Sequence, residues 1–185
     1  MRFIEAIERY SPAGEQERQD ARMMRRYAEI FPDVLSRTNE TAHFTASAWI
    51  VSPDRSRVLM IYHNIYNSWS WTGGHADGQD DPLAVAIREA REETGLAHIR
   101  PAGDELLSLE ILTVKAHVKR GKYVVPHLHL NLTYLLEADD ADAIHIKPDE
   151  NSGVKWFAPE DALSACTEPE MLPIYRKLIE RSAKL

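Results

Sequence analysis

Along the 185-residue chain the spacing of apolar positions changes several times, and each change marks an element. In "RFIEAIERY" and "GEQERQDARMMRRYAEIF" apolar residues recur at helical spacing, so both read as amphipathic helices, separated by Ser11 and Pro12 and ended by Phe31 and Pro32. Met23, Met24, Tyr27 and Ile30 of the second are expected to pack rather than touch a ligand. After a polar join at residues 38–40 the pattern turns to strand, with "HFTASAWIV" and "RVLMIYH" divided by the turn-like "SPDRS". A glycine loop, "WTGGHADGQD", then leads into "DPLAVAIREAREETG". Here Asp81 can cap a helix, Pro82 suits its first position and Gly95 its left-handed terminator, while Leu83, Ala86, Ile87 and Ala90 form a stripe toward a core. Two long β-type runs, "LLSLEILTVKAHV" and "YVVPHLHLNLTYLLE", flank a "KRGK" hairpin turn in which Gly121 supplies the awkward backbone angle. The loop "EADDADAIHIKPDENSG", a short strand "VKWFA", a helix "PEDALSA" opening at Pro159 and a terminal helix "PEMLPIYRKLIERSA" complete the chain. This order predicts an α/β or α+β sandwich, a mixed sheet packed between helices, without internal repeats.

Composition narrows the function. With 44% hydrophobic and 28% charged residues, the chain can bury one good core and is short for two, so one domain is expected. A net charge of −7 disfavours a grip on nucleic-acid backbone, yet leaves small phosphorylated ligands open if a cation intervenes. Cys166, the single cysteine, excludes an intramolecular disulfide. The start "MRFIEAIERY" lacks the apolar core of a signal peptide, and no apolar run is long enough to span a bilayer, so the expected location is the cytoplasm.

The acidic helix poses the chemical question. Glu89, Glu92 and Glu93 fall within an arc of roughly 100°. Like charges at these spacings repel. A solvated helix laced with pairs such as Arg88 and Glu92 would account for them without function. The preceding loop supplies another account: Gly73 and Gly74 let backbone approach an ion or phosphate closely, and convergent carboxylates suit a hard divalent ion such as Mg²⁺. That combination fits hydrolysis of a phosphoanhydride.

Residues 74–96 resemble the signature of the Nudix hydrolases, G-x5-E-x7-R-E-U-x-E-E-x-G-U with U aliphatic. Gly74, Arg88, Glu89, Ala90, Glu92, Glu93, Gly95 and Leu96 meet its positions, and Asp80 replaces the first Glu. The resemblance implies an α/β/α sandwich over residues 41–185, with residues 1–40 as an N-terminal helical extension packed on it. It also implies that Glu89, Glu92 and Glu93, with the carbonyl of Gly74, bind Mg²⁺, for which Mn²⁺ could substitute, and that Arg88 holds an acidic side chain in place. Family members often carry a further glutamate before a Trp-containing strand. Glu150, six positions before Trp156, is the candidate for metal binding or water activation, against the reading of a plain loop carboxylate. Either Glu93 or Glu150 would accept the proton of the attacking water.

Specificity is expected elsewhere. In "HLHLNLTYLL" Leu128, Leu130, Leu132, Tyr134 and Leu136 point one way and His127, His129, Asn131 and Thr133 the other. The polar row could line a pocket, face solvent, or bind zinc, for which no cysteine or third histidine lies nearby in sequence. His75 lies close enough to the expected metal to touch a phosphate. Trp69 or Trp71 could stack on a base, against the reading of buried core. The substrate expected is a nucleoside diphosphate linked to another group, without nucleic-acid or membrane partners. The N-terminal helices could cover the sheet, shape the pocket or make a homodimer contact. Two other readings stand beside this one: an isomerase resembling isopentenyl diphosphate isomerases, for which Cys166 lies far from the box in sequence, and a silent nucleotide-sensing module, against which the intact glutamate set argues.

Overall fold

The computed structural model of the protein describes residues 1–119 and 121–185; Arg120, in the expected "KRGK" turn, lies outside the described residues. The elements run α1 (Arg2–Arg9), α2 (Glu15–Ile30), β1 (Ala42–Val51), β2 (Val58–His63), β3 (Ser68–Ser70), β4 (Thr72–His75), α3 (Pro82–Thr94), β5 (Arg100–Val114), β6 (His117–Lys119), β7 (Lys122–Val124), β8 (His127–Glu137), β9 (Asn151–Phe157), α4 (Pro159–Ala165) and α5 (Leu172–Ser182). None of the helices is long and apolar enough to cross a membrane, among the described residues.

Every residue of β1 is buried, because this strand is the middle of a seven-stranded mixed sheet. One edge runs parallel to β8 from Ala42 opposite Leu128 to Val51 opposite Glu137. The other edge is shared between β4, with Thr45 opposite His75, and β2, with Val51 opposite Val58. Beyond these, β8 pairs antiparallel with β5, and β2 with β3 and β9. The hairpin β6–β7 forms a separate two-stranded sheet.

Alternation along β1 and β8 assigns the two faces. Phe44, Ala46, Ala48 and Ile50 share one core with Leu130, Leu132, Tyr134 and Leu136. That core is closed by Phe3 and Ile7 of α1, Met24 of α2, and Val85, Ala86 and Ala90 of α3. On the opposite face Trp49, Val51 and Leu135 pack with Met60, Trp71 and Leu107 against Ala162 of α4 and Tyr175 and Leu178 of α5. Helices therefore cover both faces, as the expected sandwich requires. Each large side chain so buried contributes roughly 1.5–3 kcal/mol. α1 and α2 belong to the first core, so they complete the sheet's cover rather than stand apart from it.

Several local expectations are corrected. The glycine loop is partly strand: Gly73 and Gly74 pair with Ser47 and Ala46, and a Cβ on Gly73 would lie 2.9 Å from the Ser47 Cα, so an approach this close admits no side chain. β5 begins at Arg100 rather than Leu106, with irregular register between Pro101 and Ser108. β9 takes in Asn151, Ser152 and Gly153 from the expected loop. Ile30, expected to pack, is 55% exposed, whereas Val85, outside the expected stripe of α3, is fully buried. The caps of α3 are as expected: the Asp81 carboxylate accepts from Ala84 N–H at 3.1 Å, and Gly95 is left-handed with φ 72°.

Candidate active site

The face of the sheet that carries Trp49 and Val51 becomes polar toward the start of β1, at His43, Thr45 and Ser47. Parallel register sets these opposite His129, Asn131 and Thr133 of β8. Here the sheet floors a cavity of about 1190 Å³, whose lining includes Gly74, Glu89, Glu92, Glu93, Lys147 and Glu150. The His127, His129 and Asn131 row and His75 line the same cavity, so chain segments far apart in sequence meet around one space.

α3 packs its apolar side on the sheet and brings its glutamates to the β4 edge. Glu93 is only 3% exposed and accepts from Gly73 N–H at 2.9 Å. The three glutamates thus do not share one solvated side: Glu93 is buried, Glu89 is largely so, and Glu92 is the exposed one. Burial first, then the neighbouring charges of Glu89 and Glu150, push the Glu93 carboxyl well above the ordinary carboxylate range. Burial raises Glu89 as well, against the pull of Arg88. Gly74 is the other half of this contact: a Cβ there would lie 2.3 Å from the Glu89 Cδ.

Arg88 reaches back along the loop. Its guanidinium donates to the His75 carbonyl at 3.0 Å, to Gln79 Oε1 at 2.6 Å and to Glu89 Oε1 at 2.7 Å. Its approach to Glu92, the pair expected from helix spacing, is 3.9 Å. Asp80 is exposed, and the neighbouring Gln79 makes the contact to Arg88.

Lys147 and Asn151 escaped the sequence reading. The Lys147 ammonium lies 3.0 Å from both Glu92 and Glu150. Although burial alone would lower it, these carboxylates hold the ammonium above its ordinary range. Asn151, fully buried, donates to the Glu93 carbonyl at 2.9 Å and accepts from Lys147 N–H at 3.3 Å. It fastens the loop bearing Lys147 and Glu150 to the end of α3. The order Lys147, Glu150, Asn151 in an acidic loop was the available signal, but only contact with α3 gives it meaning.

Other members of the expected set differ in how they face the cavity. Asn131 is 1% exposed, and its amide is engaged: it accepts from Thr45 Oγ1 and Ser47 Oγ at 2.9 Å each and donates to Thr133 Oγ1 at 3.1 Å. Trp71 lies in the second core, its ring edge-on to Tyr175 at 5.5 Å. His43, which sequence reading passed over, joins His75, His127 and His129, with ring centroids 4.9–5.1 Å apart in the contacting pairs. Cys166 is buried in the second core beside Ser68.

A family model of the NUDIX domain matches residues 41–180, and the chain belongs to the Nudix family. Over 54 residues it is 43% identical to a CMP-5'-(N-acetyl-N-hydroxy-3-aminopropyl)phosphonate hydrolase of Streptomyces rubellomurinus, a match covering 27% of this chain and 26% of that protein. Over 111 residues it is 25% identical to a probable DHNTP pyrophosphohydrolase of Lactococcus lactis subsp. cremoris, covering 60% and 63%. The matches thus span less than two thirds of either relative's length. Among solved structures, a C. elegans Ap4A hydrolase binary complex superposes with a TM-score of 0.57 at 23% identity, covering 77% of this chain and 98% of that one, which shows the shared fold.

Proposed function

We propose that the chain is a metal-dependent pyrophosphohydrolase, cleaving a phosphoanhydride in a nucleoside diphosphate linked to another group by attack of water on phosphorus. The observation that carries this reading is the convergence of Glu89, Glu92, Glu93 and Glu150 on one cavity. Burial and mutual repulsion leave Glu89 and Glu93 poorly compensated as anions, and a hard divalent cation is what their oxygens suit. The approach of loop and helix fits as well, since the Glu89 carboxylate packs against the Gly74 backbone where a side chain would displace it. Glu89, Glu92, Glu93 and the Gly74 carbonyl would hold Mg²⁺, or Mn²⁺ in its place. Such an ion supplies positive charge to the phosphate oxygens and makes water more acidic.

The chain's own groups supply the rest. Glu93 or Glu150, which shares the Lys147 ammonium with Glu92, accepts the proton of the attacking water. Arg88 fixes Glu89 and the loop carbonyl at His75, which keeps the carboxylates in register with β4. The wall of His75, Trp71, His127, His129 and Asn131 lies where the remainder of the substrate would rest, with Asn131 acting through Thr45 and Ser47. The relatives' names, a CMP-5'-phosphonate hydrolase and a probable DHNTP pyrophosphohydrolase, support hydrolysis of a small phosphorylated substrate, and the first of them a nucleotide linked to another group.

Glu93→Gln tests the reading. Glutamine can still accept from Gly73 N–H, so the fold should persist by circular dichroism while hydrolysis of a panel of nucleoside diphosphate derivatives with Mg²⁺ is abolished. In chelator its melting temperature should equal or exceed that of the parent, because a buried repelling charge is gone. Full activity in the folded variant would reject the metal and base roles of Glu93; should it not fold, the more exposed Glu92→Gln tests the metal reading by the same assay.

A further inference from the structure

His43, His75 and His129 each offer a ring nitrogen, and these atoms lie within 4.8 Å of one another. The three ring centroids form a nearly equilateral triangle of 4.9–5.1 Å. The residues come from three strands: His43 on β1, His75 on β4 and His129 on β8, joined by the pairings Thr45 with His75 and His43 with His129. Sheet register, rather than flexible loop, sets the triangle.

The ring protons can be placed. His43 Nδ1 is 2.9 Å from the Asn39 carbonyl, which can only accept, so Nδ1 carries the hydrogen and Nε2 presents a lone pair. That Nε2 is buried and has no hydrogen-bond partner, on a residue only 3% exposed. An imidazole fixed by a backbone carbonyl through one nitrogen, with the other bare, is the arrangement found in histidine metal ligands. His127 repeats it: Nδ1 is 2.9 Å from the Val125 carbonyl, which leaves the Nε2 lone pair 3.2 Å from His129 Nε2. A neutral His129 that carries its proton on Nε2 donates to that lone pair, which makes Nδ1 the nitrogen that His129 can offer to a metal.

We infer that His43, His75 and His129 form a site for a first-row transition cation of borderline softness, Zn²⁺ foremost, distinct from the hard-ion site at the glutamates. Imidazole nitrogen suits such a cation, whereas the carboxylate cluster suits Mg²⁺. Three nitrogens around tetrahedral Zn²⁺ at about 2.0–2.1 Å lie roughly 3.4 Å apart, so modest ring rotation from the present spacing closes the site. Three protein ligands leave a fourth position, open to the cavity that His43, His75 and His129 line. His127 positions His129 from outside the triangle. The inference stands on the histidine geometry and does not depend on the hydrolase reading.

The test uses the full chain, stripped by chelator and returned to excess Mg²⁺ so that the carboxylates are saturated, then titrated with Co²⁺ as a coloured stand-in for Zn²⁺. We expect one Co²⁺ per chain with the visible absorption of a low-coordinate nitrogen site, displaced by Zn²⁺ and unaffected by more Mg²⁺. His129→Ala and His43→Gln should weaken this binding at least tenfold while Glu89→Gln keeps it. Absence of stoichiometric Co²⁺ in Mg²⁺ would overturn the inference. So would a signal lost in Glu89→Gln but retained in His129→Ala. Should buried His43→Gln fail to fold, His129→Ala and His75→Ala, both on partly exposed residues, decide the matter, with melting curves as the fold control.

Discussion

The adjacent glycines of β4 answer to different constraints. A methyl group on Gly73 would meet backbone, with the Ser47 Cα at 2.9 Å and the Ala46 carbonyl oxygen at 3.0 Å, and neither can yield without moving β1. A methyl group on Gly74 would meet first the Glu89 carboxylate, the end of a side chain, which can shift without moving backbone. Gly73→Ala should therefore cost stability, about 1–3 kcal/mol as for other overpacked sites, read from denaturant titration. Gly74→Ala should melt near the parent temperature yet lose most activity and Mg²⁺ affinity, because Glu89 is displaced. Equal melting losses in the two variants would show the distinction to be wrong. In the sequence the doublet signals close approach, but which backbone or side chain approaches each glycine depends on pairing with β1. The same holds for Arg88: its loop partner is Gln79 rather than the neighbouring Asp80, a shift of one residue that only the loop's path decides.

At the scale of elements, α3 and β8 were legible for opposite reasons. α3 announces itself by local chemistry, with Asp81, Pro82 and Gly95 in their places, and the structure keeps all three. β8 shows its alternation, but the meaning of its polar row depends on β1, whose residues lie 84 and 86 positions from Asn131 in the two hydrogen bonds that join them. The polar positions His43, Thr45 and Ser47 were visible as an alternation in "HFTAS"; parallel pairing, which no local signal encodes, made them the other half of the wall. Asn131→Ala should thus act first on the fold. It leaves the Thr45 and Ser47 hydroxyls without their acceptor, at a cost of about 1–3 kcal/mol. We expect a lowered melting temperature with kcat nearly preserved; an unchanged melting temperature with a large rise in KM would instead make Asn131 a direct substrate contact.

Across the whole molecule, buried carboxyls of opposite tendency should shape the response to pH. Glu17 joins α2 to α5 through Lys177 and Arg181, each at 2.8 Å, and these partners hold its carboxyl down at about 2 despite burial. Its contribution is present above the ordinary carboxylate range and is lost as pH falls toward 2. Burial raises Glu89, Glu93 and Glu110, so between the ordinary carboxylate range and their folded values the native state holds more protons than the unfolded one. Stability from these three rises as pH falls through that window. In chelator the melting temperature should climb on acidification from neutrality toward about pH 5, then drop at lower pH as Glu17 protonates. Saturating Mg²⁺ should flatten the climb, since it binds the deprotonated glutamates. A melting temperature that falls steadily from pH 7 downward in chelator would contradict this account.

The parallel pairing of β1 with β8 also governs how the chain can be made. β1 ends at Val51, but its long partner begins only at His127, so a ribosome must synthesise everything from β2 to β7 before the central ladder can close. Until then a ten-residue strand destined for full burial has one edge without its partner, an invitation to pair with another nascent chain. α1 and α2 emerge before β1 and can shelter the Phe44 face, but they offer no backbone to the waiting edge. Chains cut between β7 and β8 should therefore collect in inclusion bodies, while a circular permutant that places β8 next to β1 in synthesis should regain soluble folding at low chaperone levels.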